Sequence, residues 1–222
     1  MKNLLSTIGI ACLLACSTPT IAQFYTTAGA EMIFSFATVS QNGNERETRM
    51  RWSPVFNFGV HTHYDLSKSI GLFSGLKVRN IGFIYQDANN KKVIQRTYNL
   101  GIPVAIKIGN LDKFFVYAGY QFELPFHYKY KTWDSSDRSG AKTKFTNFFS
   151  DATPTVMHTI IAGVQMYRGL NIKFQWYLNN FINPEYIRNG VAINDGLEVQ
   201  VFSLSLAANM FRGKKFIFIE ID

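Results

Sequence analysis

Residues 98–131, YNLGIPVAIKIGNLDKFFVYAGYQFELPFHYKYK, alternate apolar and polar side chains over two long runs joined by a short polar turn. A period of two sends successive side chains to opposite faces of a strand, so this stretch predicts a tall antiparallel hairpin. In the second run Phe114, Val116, Ala118, Tyr120, Phe122, Leu124 and Phe126 share one face, and Phe115, Tyr117, Gly119, Gln121, Glu123 and His127 share the other. The first face is apolar throughout and the second is mixed. An unbroken greasy strip of this height needs either a protein core or lipid against it.

The rest of the chain repeats the pattern. Residues 27–38 put Met32, Phe34 and Phe36 against Glu31 and Ser35, and residues 54–65 put Phe56, Phe58, Val60, Thr62 and Tyr64 against Asn57, Gly59, His61 and His63. Residues 71–85, 156–167, 170–182 and 197–211 read as further strands, with Lys77, Arg79 and Lys173 on polar faces. The polar stretches 39–51, 87–92, 132–153 and 183–196 read as loops at one end, while LSKS, GNLD and Arg168-Gly169 read as tight turns at the other. Eight strands with loops and turns alternating in this way predict an all-β fold, an eight-stranded antiparallel transmembrane barrel in an up-and-down meander. The tail 212–222 is open between a periplasmic extension and an extra short strand.

Strand height decides which way the greasy face points. Several strands reach or exceed about 10 residues, the length that crosses a bilayer at a tilt, whereas soluble strands average about 5 to 6. Aromatic residues gather near strand ends (Tyr64, Tyr85, Phe126, Tyr128, Tyr130, Tyr167, Tyr177, Phe211), as interfacial girdles do. The apolar face is therefore expected to meet lipid. An eight-stranded barrel is just wide enough to be filled by side chains. The inward set Glu31, His61, His63, Lys77, Arg79, Lys107, Glu123, Lys173 and His127 is expected to pair into a plug, since an unpaired buried charge is costly.

Residues 1–22 carry Lys2 as their only charge, an apolar run over 4–15, and the small-residue exit Thr20-Ile21-Ala22. This is the layout of a secretory signal, expected to be cut after Ala22 and to leave a barrel domain over 23–222 in the cell outer membrane. Leu13-Leu14-Ala15-Cys16 offers a competing lipobox in which Cys16 would be lipidated. Both cysteines, Cys12 and Cys16, fall in this segment, so a chain cut after Ala22 has no thiol chemistry. Without Lys2 the chain holds 22 basic against 15 acidic residues, a balance of +7. In an exported protein that charge suits lipopolysaccharide and other anionic headgroups better than nucleic acid.

The segment Asn99-Leu100-Gly101-Ile102-Pro103-Val104-Ala105-Ile106-Lys107, followed by 114–124 with Gly119 at its centre, resembles the strand pair of the PorT-like small outer-membrane β-barrel family. The resemblance implies an eight-stranded outer-membrane barrel. Some members are linked to protein secretion, but the family implies no shared activity. Gly29 is the only glycine in the first strand, where the family is usually glycine-rich.

Three constellations could carry chemistry. His61 and His63 share a face and could ligate a metal if Glu31 supplied a third donor, although no further histidine or cysteine clusters with them. His127 with Ser135, Ser136 or Ser139, or His158 with Ser150, could form a nucleophile and base for acyl transfer on lipid. The segment 132–153 interleaves Trp133, Phe145, Phe148 and Phe149 with Arg138, Lys142 and Lys144, beside Lys131, as docking surfaces for proteins or lipopolysaccharide do. No catalytic, cofactor-binding or metal residue is assigned, and no cofactor is expected. The expectation is a non-enzymatic structural or accessory subunit of an outer-membrane secretion or assembly complex. It would contact lipid, lipopolysaccharide and a larger protein partner through 132–153. The alternative is a lipid A acyl hydrolase or acyltransferase.

Overall fold

The computed structural model describes residues 22–135, 140–212 and 216–218. Eight long strands close into a ring: β1 (Ala22–Gln41), β2 (Phe58–Asp65), β3 (Ile70–Gln86), β4 (Lys92–Asn110), β5 (Phe114–Trp133), β6 (Met157–Gln165), β7 (Leu170–Tyr177) and β8 (Leu197–Arg212). Each pairs antiparallel with its neighbours in sequence, and β8 returns to β1 over a register running from Thr27↔Arg212 to Gln41↔Leu197. Closure leaves the ring without a free edge, as a sheet in lipid requires. The proposed signal segment lies outside the described residues apart from Ala22, which already pairs in β1. Of the tail, Phe216–Phe218 adds a short strand against Ala22–Phe24.

The outside of the ring is apolar and its centre is polar. Ile102, Val104, Ile106 and Ile108 of β4, Phe114, Val116, Phe122 and Leu124 of β5, and Phe202, Leu204 and Leu206 of β8 are all exposed. Their strand neighbours Lys107, Glu123, Ser203 and Ser205 are fully buried. The inside is layered along the barrel axis. At the loop end Ile33, Ile81, Phe83, Met157, Leu197 and Val201 pack with Phe181 and Ile182. At the turn end Phe73, Leu111, Phe115, Tyr117 and Ile161 form a second apolar cluster. Charged groups fill the level between them.

Several boundaries differ from the sequence reading. The second strand starts at Phe58 rather than 54, because Phe56 adopts φ 61° and breaks the extended chain. Above that break Arg51–Ser53 takes over the same lane beside β1. β7 ends at Tyr177 rather than 182, freeing Phe181 and Ile182 to turn into the barrel mouth. Residues 87–91 are a tight turn in which Asp87 Oδ1 accepts from the Asn89 and Lys91 amides, so β3 and β4 themselves extend beyond the ring. The segment 132–153 is not an irregular loop either. Lys142–Phe148 returns along β5 from Trp133↔Lys142 to His127↔Phe148 and adds another strand to that extension. Tyr85, Tyr128 and Tyr177, expected in the lipid girdle, point inward and are buried.

Candidate functional site

The charged level is built on Glu31 of β1. Its Oε2 faces Lys77 Nζ at 3.1 Å and Lys173 Nζ at 2.8 Å, and its Oε1 accepts from Arg79 Nε at 2.8 Å. Arg79 then reaches across the lumen to Glu123 Oε1 at 2.8 Å. Glu123 also accepts from Gln175 Nε2 at 2.7 Å, from Asn99 Nδ2 at 2.6 Å and from the Tyr177 hydroxyl at 2.6 Å. These side chains come from β1, β3, β4, β5 and β7, so the network spans the barrel from wall to wall. Breaking a paired charge out of such a network costs far more than the pair itself contributes.

A second node lies toward the turn end. Lys107 pairs with Asp65, donates to the Tyr25 hydroxyl at 3.0 Å, and meets His63 Nδ1 at 3.2 Å. His63 Nε2 contacts Thr27 Oγ1 at 2.9 Å, and its ring stacks on Tyr25 with centroids 4.6 Å apart. Between the nodes, His61, Phe73, Lys77, Tyr117 and Lys173 border a small pocket of about 40 Å³, room for a few waters.

The inward set expected from sequence is therefore assembled, with one exception. His127 lies on the outer face. A bulge in β5 opposite the Tyr98/Asn99 step shifts the register from Asn99↔Pro125 to Tyr98↔His127, and the extra residue reverses the alternation beyond it. The His127 ring stacks between Tyr98, at 5.4 Å, and Phe148, at 4.3 Å. Asp65, Asn99, Gln175, Tyr25 and Tyr177 are lumen partners that sequence reasoning did not single out. Their only signal was a polar residue or tyrosine at inward parity.

The metal constellation does not assemble among the described residues. Glu31 is committed to three cations, both His63 nitrogens have protein partners, and no group of three His, Cys, Asp or Glu side chains forms among the described residues. His158 Nδ1 meets the Tyr120 hydroxyl at 2.6 Å, while Ser150 Oγ accepts from the Ala152 amide at 3.2 Å. Ser136 and Ser139 lie outside the described residues, as does Arg138. Phe145 turns inward and stacks on Tyr130 at 4.9 Å, whereas Phe148 and Phe149 are exposed.

A closed eight-stranded ring with a greasy exterior and a charged, packed interior defines a transmembrane β-barrel of the outer-membrane type. No family model and no curated protein matches the chain. Solved structures resemble it at low identity. One is Ail, the attachment invasion locus protein of Yersinia pestis, in complex with the heparin analogue sucrose octasulfate (14% identity, 88% of this chain and 99% of that one, TM-score 0.41). Others are Neisserial surface protein A (9%, 84% and 97%, 0.40) and OprG from Pseudomonas aeruginosa (11%, 89% and 97%, 0.38).

Proposed function

We propose that the chain is a small non-enzymatic outer-membrane barrel that serves as a structural or accessory subunit of an outer-membrane complex concerned with secretion or assembly. The observation that carries this reading is the filled lumen. Ion pairs occupy its centre and apolar clusters lie on either side, so the middle of the barrel is packed with side chains, and the open space at the turn end, beside Tyr25, His63 and Phe115, is a shallow cavity of about 340 Å³. Work then falls to the wall and to the extension beyond the ring. That end exposes Phe148, Phe149, Ile187 and Val191, apolar side chains of the kind a protein partner covers. The PorT-like resemblance, specific over 99–107 and 114–124, includes members linked to secretion, although no motif ties this chain to them.

Copurification in mild detergent followed by mass spectrometry tests the proposal. A larger outer-membrane protein should come through in stoichiometric amount and be lost with Phe149→Ala in a barrel that still folds. A barrel that runs alone from native membranes would overturn it.

A further inference from the structure

Beyond the bulge, the outer face of β4 and β5 sets cations against cations. Arg96 stands opposite Lys129, and Lys131 stands opposite Lys144 of the returning strand Lys142–Phe148. Directly opposed residues on one face bring their Cβ atoms to about 5 Å, where like charges destabilise the pair. The ion pairs of the described residues involve none of these four side chains. Partial burial, then Arg96, Lys142, Lys129 and Lys144, hold the Lys131 ammonium below its ordinary pKa. Two such oppositions side by side make sense if an anion lies across them.

The surroundings say which kind of anion. Arg96 and Lys129 both lie over the Tyr98 ring, at 5.9 and 4.9 Å. They border an open groove of about 440 Å³ whose other walls include Trp52, Ile94, Lys131 and Trp133. Below Tyr98 the same face of β4 continues as Leu100, Ile102, Val104, Ile106 and Ile108, the lipid-facing strip. At about 3.3 Å per residue along a tilted strand, the two cation pairs stand roughly 5 to 10 Å beyond the Tyr98 row. That is the depth of the headgroup layer, which adds about 5 to 8 Å to each side of the hydrocarbon core. A soluble polyanion has no need of a site aligned with the apolar strip, whereas a lipid anchored by its chains presents its phosphates at this height.

We propose that this face binds the phosphate groups of an anionic lipid of the outer leaflet. Arg96 with Lys129 and Lys131 with Lys144 act as two phosphate clamps, and Trp52 and Trp133 flank the headgroup. The inference rests on the membrane reading of the fold and is independent of the accessory role.

The test uses the full chain in phosphatidylcholine nanodiscs doped with diphosphoryl or monophosphoryl lipid A, with bound lipid counted by native mass spectrometry. Wild type should retain the diphosphoryl form in preference. Replacing one clamp, as Arg96→Gln with Lys129→Gln, should weaken retention by at least roughly tenfold, the value of losing even one of its two charge-assisted contacts. Lys131→Gln with Lys144→Gln should do the same, and arginine at the three lysine positions should preserve retention. Lys68→Gln with Lys113→Gln, at the opposite end, is the charge control. Heat-modifiable gel migration reports folding independently. Equal retention by wild type and clamp variants, equal loss in the control, or displacement of the lipid by equimolar free inositol hexakisphosphate would each overturn the proposal.

Discussion

The Arg79 guanidinium lies 2.8 Å from the Glu123 carboxylate at the centre of the barrel, and neither side chain has any exposed surface. Among the described residues Arg79 is the one side chain that touches both carboxylates of the network, Glu31 at 2.8 Å and Glu123. Its removal leaves Glu123 without a cation and Glu31 with two lysines. Arg79→Met should therefore destabilise the reconstituted barrel by about 3 to 5 kcal/mol in urea unfolding. A loss below about 1 kcal/mol, the scale of an exposed pair, would show that the network is not what holds the strands in register.

The lumen layers predict electrical silence. Apolar clusters on both sides of the ion-pair level leave no continuous wet path among the described residues. In planar bilayers the purified protein should give no discrete conductance steps under moderate voltage. Stable, reproducible steps from the folded band would contradict a packed interior.

Gly119 sits on β5 between Ala105 of β4 and Ile161 of β6, facing inward. A methyl group there would press on the Val104 carbonyl and the Ala105 backbone, which cannot yield without moving the strand. Gly119→Ala should cost about 1 to 3 kcal/mol by overpacking, read as a lower urea midpoint for the refolded barrel. Unchanged stability would mean that β4 and β5 can separate at this point.

Lys131 predicts a pH effect of defined sign. Its folded pKa is lowered from the usual 10.5, first by partial burial and then by neighbouring cations. The unfolded chain therefore holds its proton more tightly, and stability must rise with pH between the folded pKa and 10.5. Below that window the charged ammonium is a constant burden. Lys131→Gln should accordingly stabilise the barrel modestly at pH 7, and the advantage should shrink as pH rises toward 10.5. An advantage that grows with pH would reverse the assignment. The side chain is only partly buried, so the effect should also weaken in high salt.

The period-two runs, the alternation of turns with longer connections and the parity of Glu31, Lys77, Arg79, Lys107, Glu123 and Lys173 were enough to place eight strands and the lumen, because one buried face forces the register. What failed did so locally. The bulge in β5 adds one residue without marking itself in the pattern, so His127 was read on the wrong face. Tyr85 and Tyr177 lie near strand ends as girdle residues do, yet their parity is inward, whereas Tyr128 has the parity of the lipid face and is turned inward by the same bulge that turns His127 out. Residues 142–148 alternate weakly and are rich in lysine and threonine, so their pairing to β5 depends on the partner strand rather than on their own hydrophobicity. The opposed cations of the outer face were invisible for the same reason, since cross-strand register is not written in either strand alone.

The seam between β1 and β8 has a consequence for how the molecule is made. Thr27 pairs with Arg212 and Gln41 with Leu197, while the neighbouring hairpins join residues close in sequence. Hairpins can zip early because their loops are short, but the seam unites the two ends of the chain and carries the largest closure entropy. Glu31 lies on one side of that seam, and its three cations come from β3 and β7. The charges at the heart of the barrel are thus neutralised in full only when the circle is completed. Until that moment the chain is an open sheet carrying unmatched lysines and arginine, poorly suited to enter lipid, so closure and insertion are expected to be a single event.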